Sequence, residues 1–518
     1  MDRQTASAKD MVMTLLRAGM LPDAHDIPVI ETHIESAKRK VQLIAEQIIA
    51  TGTADLDWKF TQFRLLQLAG FRADLDKVVA ALQSVFSPVR RLPPEIIMEI
   101  FRVCADTHEA QETPGVPRSY CLKRNEHLKG VHYTLSHVCV HWRNVALSTP
   151  SLWSKLDISL YLRDASYCEE WDRAQEAMRV YLERSGNYPL TLNIEVPDRQ
   201  IDMHPGMEVL VAHCHHWGNI TLRITSGLYQ TVLPQVRGNL PMLRSLIFAP
   251  SNPSDFSQVT MFDSAPLLRE VDLSLPASMF SMPWEQLTNV TLRVRLTTLQ
   301  ELFRTSHALT SAVIHGTSTS RSSSQVPIHF PVLKELDIGD GFDILPLMTA
   351  PALESCTMMN MNLSYANTLL SFLKRSSVSL KRLSGWGMRM SVAGFLDVLN
   401  SLPDLEYLNV SNRDLFTDEF FQRLTYTNKD TQLLPRLKTI HIRDPGRLIT
   451  PALLQFLESR SPQSKFVNPE HDALAAVHIE MSVQYEGGFI YNVKSVITTM
   501  RDQGVTISGR YTSYNTAI

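Results

Sequence analysis

The sequence predicts an α/β protein in three parts: an N-terminal helical hairpin, a small all-α module, and an irregular solenoid of short strands forming a parallel sheet. Three observations lead there. Apolar residues recur at helical spacing through residues 27–88. A proline-bearing helix start, LPPEIIMEIF, opens a second helical stretch over 89–157. From residue 189 onward a unit of the form L-x-x-L-x-L returns at intervals of roughly 19 to 37 residues, as stacked repeats require.

In the hairpin, the first helix carries Ile30, Ile34, Val41, Ile44 and Ile48 among charged residues. Their spacings of three, four and seven give one apolar stripe. A break is expected at Thr51-Gly52-Thr53-Ala54-Asp55, where glycine and aspartate supply turn and cap chemistry. The second helix carries Phe60, Phe63, Leu66, Leu75, Val78, Leu82 and Val85, and Ser87-Pro88 stops it. The stripe packs against the rest of the chain, with self-association through it as the alternative.

In the second part, Leu92-Pro93-Pro94-Glu95 reads as a helix start. Proline is tolerated in a first turn, where its missing N–H would have no partner, and Glu95 complements the positive end of the helix dipole. Ile96, Ile97, Ile100 and Phe101 then make an apolar face. A second helix is expected with Leu135, Val138, Cys139, Trp142, Val145 and Ala146 on one side. Between the two lies a segment at roughly 106–130, rich in charge and proline, which reads as an inserted loop.

In the third part, the clearest units are Leu243/Leu246/Phe248, Leu268/Val271/Leu273, Leu287/Val290/Leu292, Leu333/Leu336/Ile338, Leu353/Cys356/Met358, Leu405/Leu408/Val410 and Leu437/Ile440/Ile442. Weaker ones begin at Trp217, Leu309, Leu380 and Leu474. Pro241, Pro266, Pro331, Pro351, Pro403 and Pro435 stand two residues before a first leucine. With 28 prolines in 518 residues, chance would place fewer than one there. No unit can bury its apolar face alone, so neighbours must stack. Segments such as 368–377 and 390–402 read as helices between strands, and the Ser/Thr-rich stretch 315–325 as a surface loop. Leucine makes up 65 of the 518 residues, a share that the repeating units explain.

Composition and motifs exclude several functions. Fifty basic against 53 acidic residues give a net charge of −3, which argues against a nucleic-acid binder driven by phosphate neutralisation. Six cysteines, at 104, 121, 139, 168, 214 and 356, form no CxxC pair and read as reduced thiols. The first 23 residues lack an apolar signal-peptide core, and no run of 18 apolar residues crosses a membrane. A cytoplasmic or nuclear location is expected.

No GxSxG, Walker or HExxH motif is present. Gly339-Asp340-Gly341 reads as a turn between repeats. His137 and His141 are four apart, and His213-Cys214-His215-His216 cluster in sequence, but surface histidines explain both better than metal ligation. No catalytic residue, cofactor or metal is expected.

LPPEIIMEIF, followed by LSHVCVHWRNVA and SLWSKL, resembles an F-box, whose pattern is LPxEIxxxIF and then LxxVCxxWRxxA. The layout over about residues 30–480 is similar to the F-box/leucine-rich-repeat proteins of mushroom-forming fungi. The resemblance implies a module that docks the Skp adaptor of a cullin–RING ubiquitin ligase, and repeats that bind a target protein. Carried over, the adaptor-binding residues are Leu92, Pro93, Pro94, Glu95, Ile96, Ile97, Ile100, Phe101, Leu135, Val138, Cys139 and Trp142. Pro93, Ile96 and Ile100 are expected to touch the partner, and Val138 and Trp142 to hold the module together. The inserted loop departs from a compact F-box. It motivates the alternative of a leucine-rich scaffold without a ubiquitin-ligase role.

Overall fold

A computed structural model describes residues 3–53, 58–110, 131–159, 168–196, 205–250, 256, 258–294, 306–316, 327–339, 342–359, 365–387, 390–411, 415–427, 433–443, 451–467, 471–482, 501–502 and 506–512. Most of the expected inserted loop, most of the 315–325 stretch, and Asp340 and Gly341 lie outside the described residues. The fold is mixed α/β with a large parallel sheet. The chain divides into two units, Met1–Glu195 with Glu208–His216, and Val196–Met207 with Trp217–Ile518.

The first unit opens with three helices rather than two: α1 (Arg3–Ala18), α2 (Asp26–Thr53) and α3 (Trp58–Ser84). Val12 of α1 joins Ile30, Ile34 and Leu82, with Val85 just past α3, in one buried cluster. Ile30 and Ile34 therefore face inward as the periodicity predicts. Phe63 and Leu66 do not: they are 61% and 68% exposed, while Leu68 is buried. Leu68, Leu75 and Leu82 are seven apart and hold the inward stripe, and Phe63 and Leu66 lie off it. Gly19 ends α1 with φ +76°, and its N–H bonds Leu15 O at 2.9 Å. A side chain there would collide with His141, so glycine is needed both for the left-handed turn and for close approach.

The small module follows: α4 (Pro94–Ala110), α5 (Val131–Ser136) and α6 (Val140–Leu147), then β1 (Lys155–Ser159), α7 (Cys168–Ser185) and β2 (Leu190–Glu195). Strands β1 and β2 pair in parallel, with Leu156 opposite Leu192 and Ile158 opposite Ile194.

An aromatic cluster fixes α5. His132 Nε2 lies 2.5 Å from Tyr181 Oη, and its ring is 4.8 Å from that of Trp153, over which Arg184 sits at 4.5 Å. Burial first, and the Arg184 cation second, push the His132 pKa down to about 4. A base whose folded pKa is depressed takes its proton more readily in the unfolded chain. Stability is thus fully present above about pH 6.5 and is lost as pH falls through about 4, by at most about 3 kcal/mol. Urea unfolding at pH 7 and pH 4.5 should show this loss, and His132→Gln should shrink the difference between the two pH values.

In the second unit the strands are β3 (Trp217–Arg223), β4 (Ser245–Phe248), β5 (Glu270–Pro276), β6 (Asn289–Val294), β7 (Ser311–Gly316), β8 (Ile328–His329), β9 (Glu335–Ile338), β10 (Met348–Thr349), β11 (Ser355–Met359), β12 (Arg382–Trp386), β13 (Tyr407–Ser411), β14 (Thr439–Arg443), β15 (Ala476–Ser482) and β16 (Thr506–Thr512). Strands β8 and β10 form a separate parallel pair. The others pair in parallel in chain order, β7 joining β9 and β9 joining β11. Each expected unit from Trp217 to Leu474 supplies one strand.

Register makes the stacking explicit. Leu246, Val271, Val290, Ala312, Leu336, Cys356, Leu383, Leu408, Ile440 and Val477 lie opposite one another from strand to strand. All ten are buried. Removing such a row from water is the main stabilising term for short strands of this kind, at about 25 cal/mol per Å² of apolar surface.

The recurring prolines have a local cause. Each is the second residue of a tight turn that leads into a strand. Leu268 N–H bonds Ala265 O across Pro266 at 3.2 Å, and Leu353, Leu405 and Leu437 bond Ala350, Leu402 and Leu434 at 3.3 Å. Proline's fixed φ suits that position. The next residue bonds the preceding repeat: Glu354 N to Lys334 O, Lys381 N to Glu354 O, Glu406 N to Lys381 O and Lys438 N to Glu406 O, each at 2.9 Å. Their side chains alternate in sign and pair, Lys381 with Glu354 at 3.1 Å and Lys438 with Glu406 at 3.3 Å. Helices over Tyr365–Ser376, Val392–Asn400, Asp418–Leu424 and Pro451–Ser459 lie between later strands, the first two as predicted.

Candidate partner-docking surface

Pro93 and Pro94 set the start of α4. Pro93 O accepts from Ile96 N at 3.1 Å and from Ile97 N at 3.2 Å, so the first turn closes without the proline donors. The turn before it, Pro88–Arg91, is tied back to α3 by Arg90 Nε donating to Ser84 O at 3.0 Å. Leu92 is half-buried, and Pro93, Pro94 and Glu95 are exposed.

Helix α4 then divides its apolar residues between two faces. Ile97 and Phe101, at i and i+4, are 1% and 0% exposed. Ile96, Ile100 and Val103, at i, i+4 and i+7, are 47%, 37% and 59% exposed. The inner face rests on Trp142, whose ring meets that of Phe101 edge-on at 5.1 Å. The outer face is an apolar stripe directed at solvent. Val103 belongs to it and was not among the predicted contacts, although its spacing from Ile96 and Ile100 carries the signal.

The second half differs from expectation. Leu135 and Trp142 do not share one helix, because the chain breaks between Ser136 and Val140. Cys139 is the reason. Its backbone is extended, at φ −158°, and its sulfur accepts the Trp142 N–H at 3.4 Å, capping α6. The break turns Val138 outward, to 53% exposure, so Val138 does not hold the module together. Val140 is exposed beside it. Leu135 is half-buried, and Trp142 does hold the module, with Val145 and Ala146 buried behind it. Trp153 completes the support: its Nε1 donates to Ala146 O at 2.8 Å, closing the C-terminus of α6. Arg102 on α4 donates from Nε to Ser151 Oγ at 3.2 Å and pairs with Glu99.

The break also separates His137 from His141, so the two never present imidazoles from one helix turn. His137 instead sits on the Tyr133 ring at 4.0 Å. His215 and His216 pack ring to ring at 3.9 Å, and burial, with His215 and His213 nearby, lowers the His216 pKa. Among the described residues no group of three or more His, Cys, Asp or Glu side chains converges as a metal site. Cys104, Cys139, Cys214 and Cys356 are free thiols. Burial, with the Asp337 carboxylate adding to it, pushes Cys356 up to about 12, which keeps it a protonated core residue. Among the described residues no helix is long and apolar enough to cross a membrane.

No protein-family model matches the chain, and no curated protein matches it.

Proposed function

We propose that the chain is a substrate receptor of an SCF-type ubiquitin ligase: the helical module acts as an F-box on a Skp adaptor and through it a cullin, and the repeats, as a leucine-rich solenoid, bind a target protein. It is not itself an enzyme in this reading. Ubiquitin transfer belongs to the partner complex, and the receptor contributes proximity. The observation that carries the reading is the division of α4. Ile96, Ile100 and Val103 stand exposed on a helix whose other face is locked by Phe101 on Trp142. An apolar helical stripe of this kind suits a hydrophobic groove on a partner.

The test is co-purification with the adaptor. The double variant Ile96→Ala/Ile100→Ala removes exposed side chains only, so its melting temperature should stay close to that of the parent chain. Adaptor recovery should fall at least about tenfold, as expected when central apolar anchors are truncated. Equal recovery from both proteins would sink the docking claim. Recovery of adaptor without cullin would favour the scaffold role instead.

A further inference from the structure

The outward face of the second unit's sheet carries one row of side chains that is unlike its neighbours. In register from β5 to β15 it reads Asp272, Thr291, Val313, Asp337, Thr357, Ser384, Asn409, His441 and His478. It contains two carboxylates and no lysine or arginine. In the row on one side Glu335 pairs with Arg382 at 3.3 Å, and the row on the other side carries Arg293 and His315.

Both carboxylates in the row are poorly solvated. Burial raises the pKa of Asp272 and of Asp337. The Arg293 and Arg223 cations and the His315 ring stand near Asp272, whereas among the described residues His315 alone is the basic side chain beside Asp337. Asp337 Oδ1 has no hydrogen-bond partner. The His315 ring leans toward β9, its Nδ1 lying where a side chain on Gly339 would stand. A second and independent observation comes from Asn409. It is 5% exposed, Nδ2 contacts Tyr407 Oη at 3.3 Å, and Oδ1 accepts from nothing. The row thus offers acceptors without donors at two places, Asp337 and Asn409, and a third, poorly solvated carboxylate at Asp272.

Their spacing is regular. Asp272 and Asp337 are three strands apart, as are Asp337 and Asn409, which is about 14 Å in each case. An extended peptide advances about 3.3 Å per residue, so side chains four residues apart match that interval. Arginine supplies a permanent cation and several N–H donors in one plane.

We propose that this row binds an extended basic segment of the target, with arginine side chains four residues apart engaging Asp272 and Asp337. The proposal rests on reading the repeats as the target-binding half of the receptor and names the class of target. Adaptor docking plays no part in it.

The test uses the full-length chain and a fluorescein-labelled peptide, Gly-Arg-Gly-Ser-Gly-Arg-Gly, in 50 mM salt, followed by anisotropy. Binding is expected, with little or none for the same peptide carrying glutamate for arginine. Asp337→Asn should weaken binding about tenfold, as for loss of one partly desolvated charge contact, and Asp272→Asn less, because cations already surround it. Neither variant should melt lower than the parent, since each removes a poorly solvated charge. Failure of the arginine peptide to bind, equal binding of the glutamate peptide, or parental affinity in both variants would overturn the proposal. Adaptor recovery from the same preparations separates the two claims. Peptide binding without adaptor fails only the F-box reading, and adaptor binding without peptide fails only this one.

Discussion

Replacing Arg460 by alanine is expected to lower stability by about 3–5 kcal/mol, because three backbone carbonyls lose their donors at once. Arg460 follows the Pro451–Ser459 helix and is fully buried. Its Nε donates to Leu424 O at 2.8 Å, Nη1 to Leu434 O at 2.8 Å and to Tyr426 Oη at 3.1 Å, and Nη2 to Leu433 O at 2.5 Å. The guanidinium lies over the Tyr426 ring at 3.9 Å. Burial pulls its pKa down to about 10, so the group stays charged at neutral pH. The cation is held by neutral oxygens and a π face. Truncation leaves Leu424, Leu433 and Leu434 with buried, unanswered carbonyls and opens a cavity. Arg460→Lys keeps the charge but cannot span the fork, and should recover only part of the loss. Urea unfolding measures both. Hydrogen exchange should place the damage between residues 415 and 467.

The second large effect is expected at Phe101. Phe101→Ala should cost about 3–5 kcal/mol, as for a buried aromatic cut back to a methyl group. The ring is wholly buried and meets Trp142 edge-on. Its loss unseats α4 from α6, so the outer stripe is no longer held in place. Adaptor binding should vanish together with the thermal transition of the module. In Ile96→Ala/Ile100→Ala, binding should be lost while the melt is kept. Differential scanning calorimetry beside adaptor pull-down separates the two cases. Similar melting curves for the two proteins would show that Phe101 does not anchor the helix.

The strands of the second unit are legible because the motif within each unit is short and repeats many times, although the spacing between units varies. L-x-x-L-x-L puts the second and third apolar positions on one face of a strand, and the structure buries Leu408 and Val410, or Ile440 and Ile442, accordingly. The prolines were visible as a pattern, but their place in the turn became clear only with the Leu268–Ala265 type of bond. The module was legible in its first half, where one helix carries the whole signal. Its second half is less legible. A run of apolar residues from Leu135 to Ala146 fits one helix by spacing, and nothing in that spacing says that Cys139 will leave the helix to cap the next one. Helix α1 carries a weak signal in the sequence: among its residues with described side chains, Val12 is the one that is fully buried. Arg460 was invisible for the opposite reason. A charged residue reads as surface, and the carbonyls that hold it come from 26 to 36 residues away in the chain.

The order of the strands has a mechanical consequence. In the second unit the strands of the large sheet follow one another in chain order, with β8 and β10 set aside, and the residue before most of them bonds back to the repeat behind it. A pulling force applied at the last strand loads one interface of the large sheet at a time, since among its described strands each later one pairs with the one before it; the two-residue β8–β10 pair, which spans β9 in the chain, is a short stitch outside that sheet. Such a protein should come apart under tension from its end inward, peeling repeat by repeat at a nearly constant low force. A machine that unfolds proteins by threading them would meet many small obstacles in succession, never one large one.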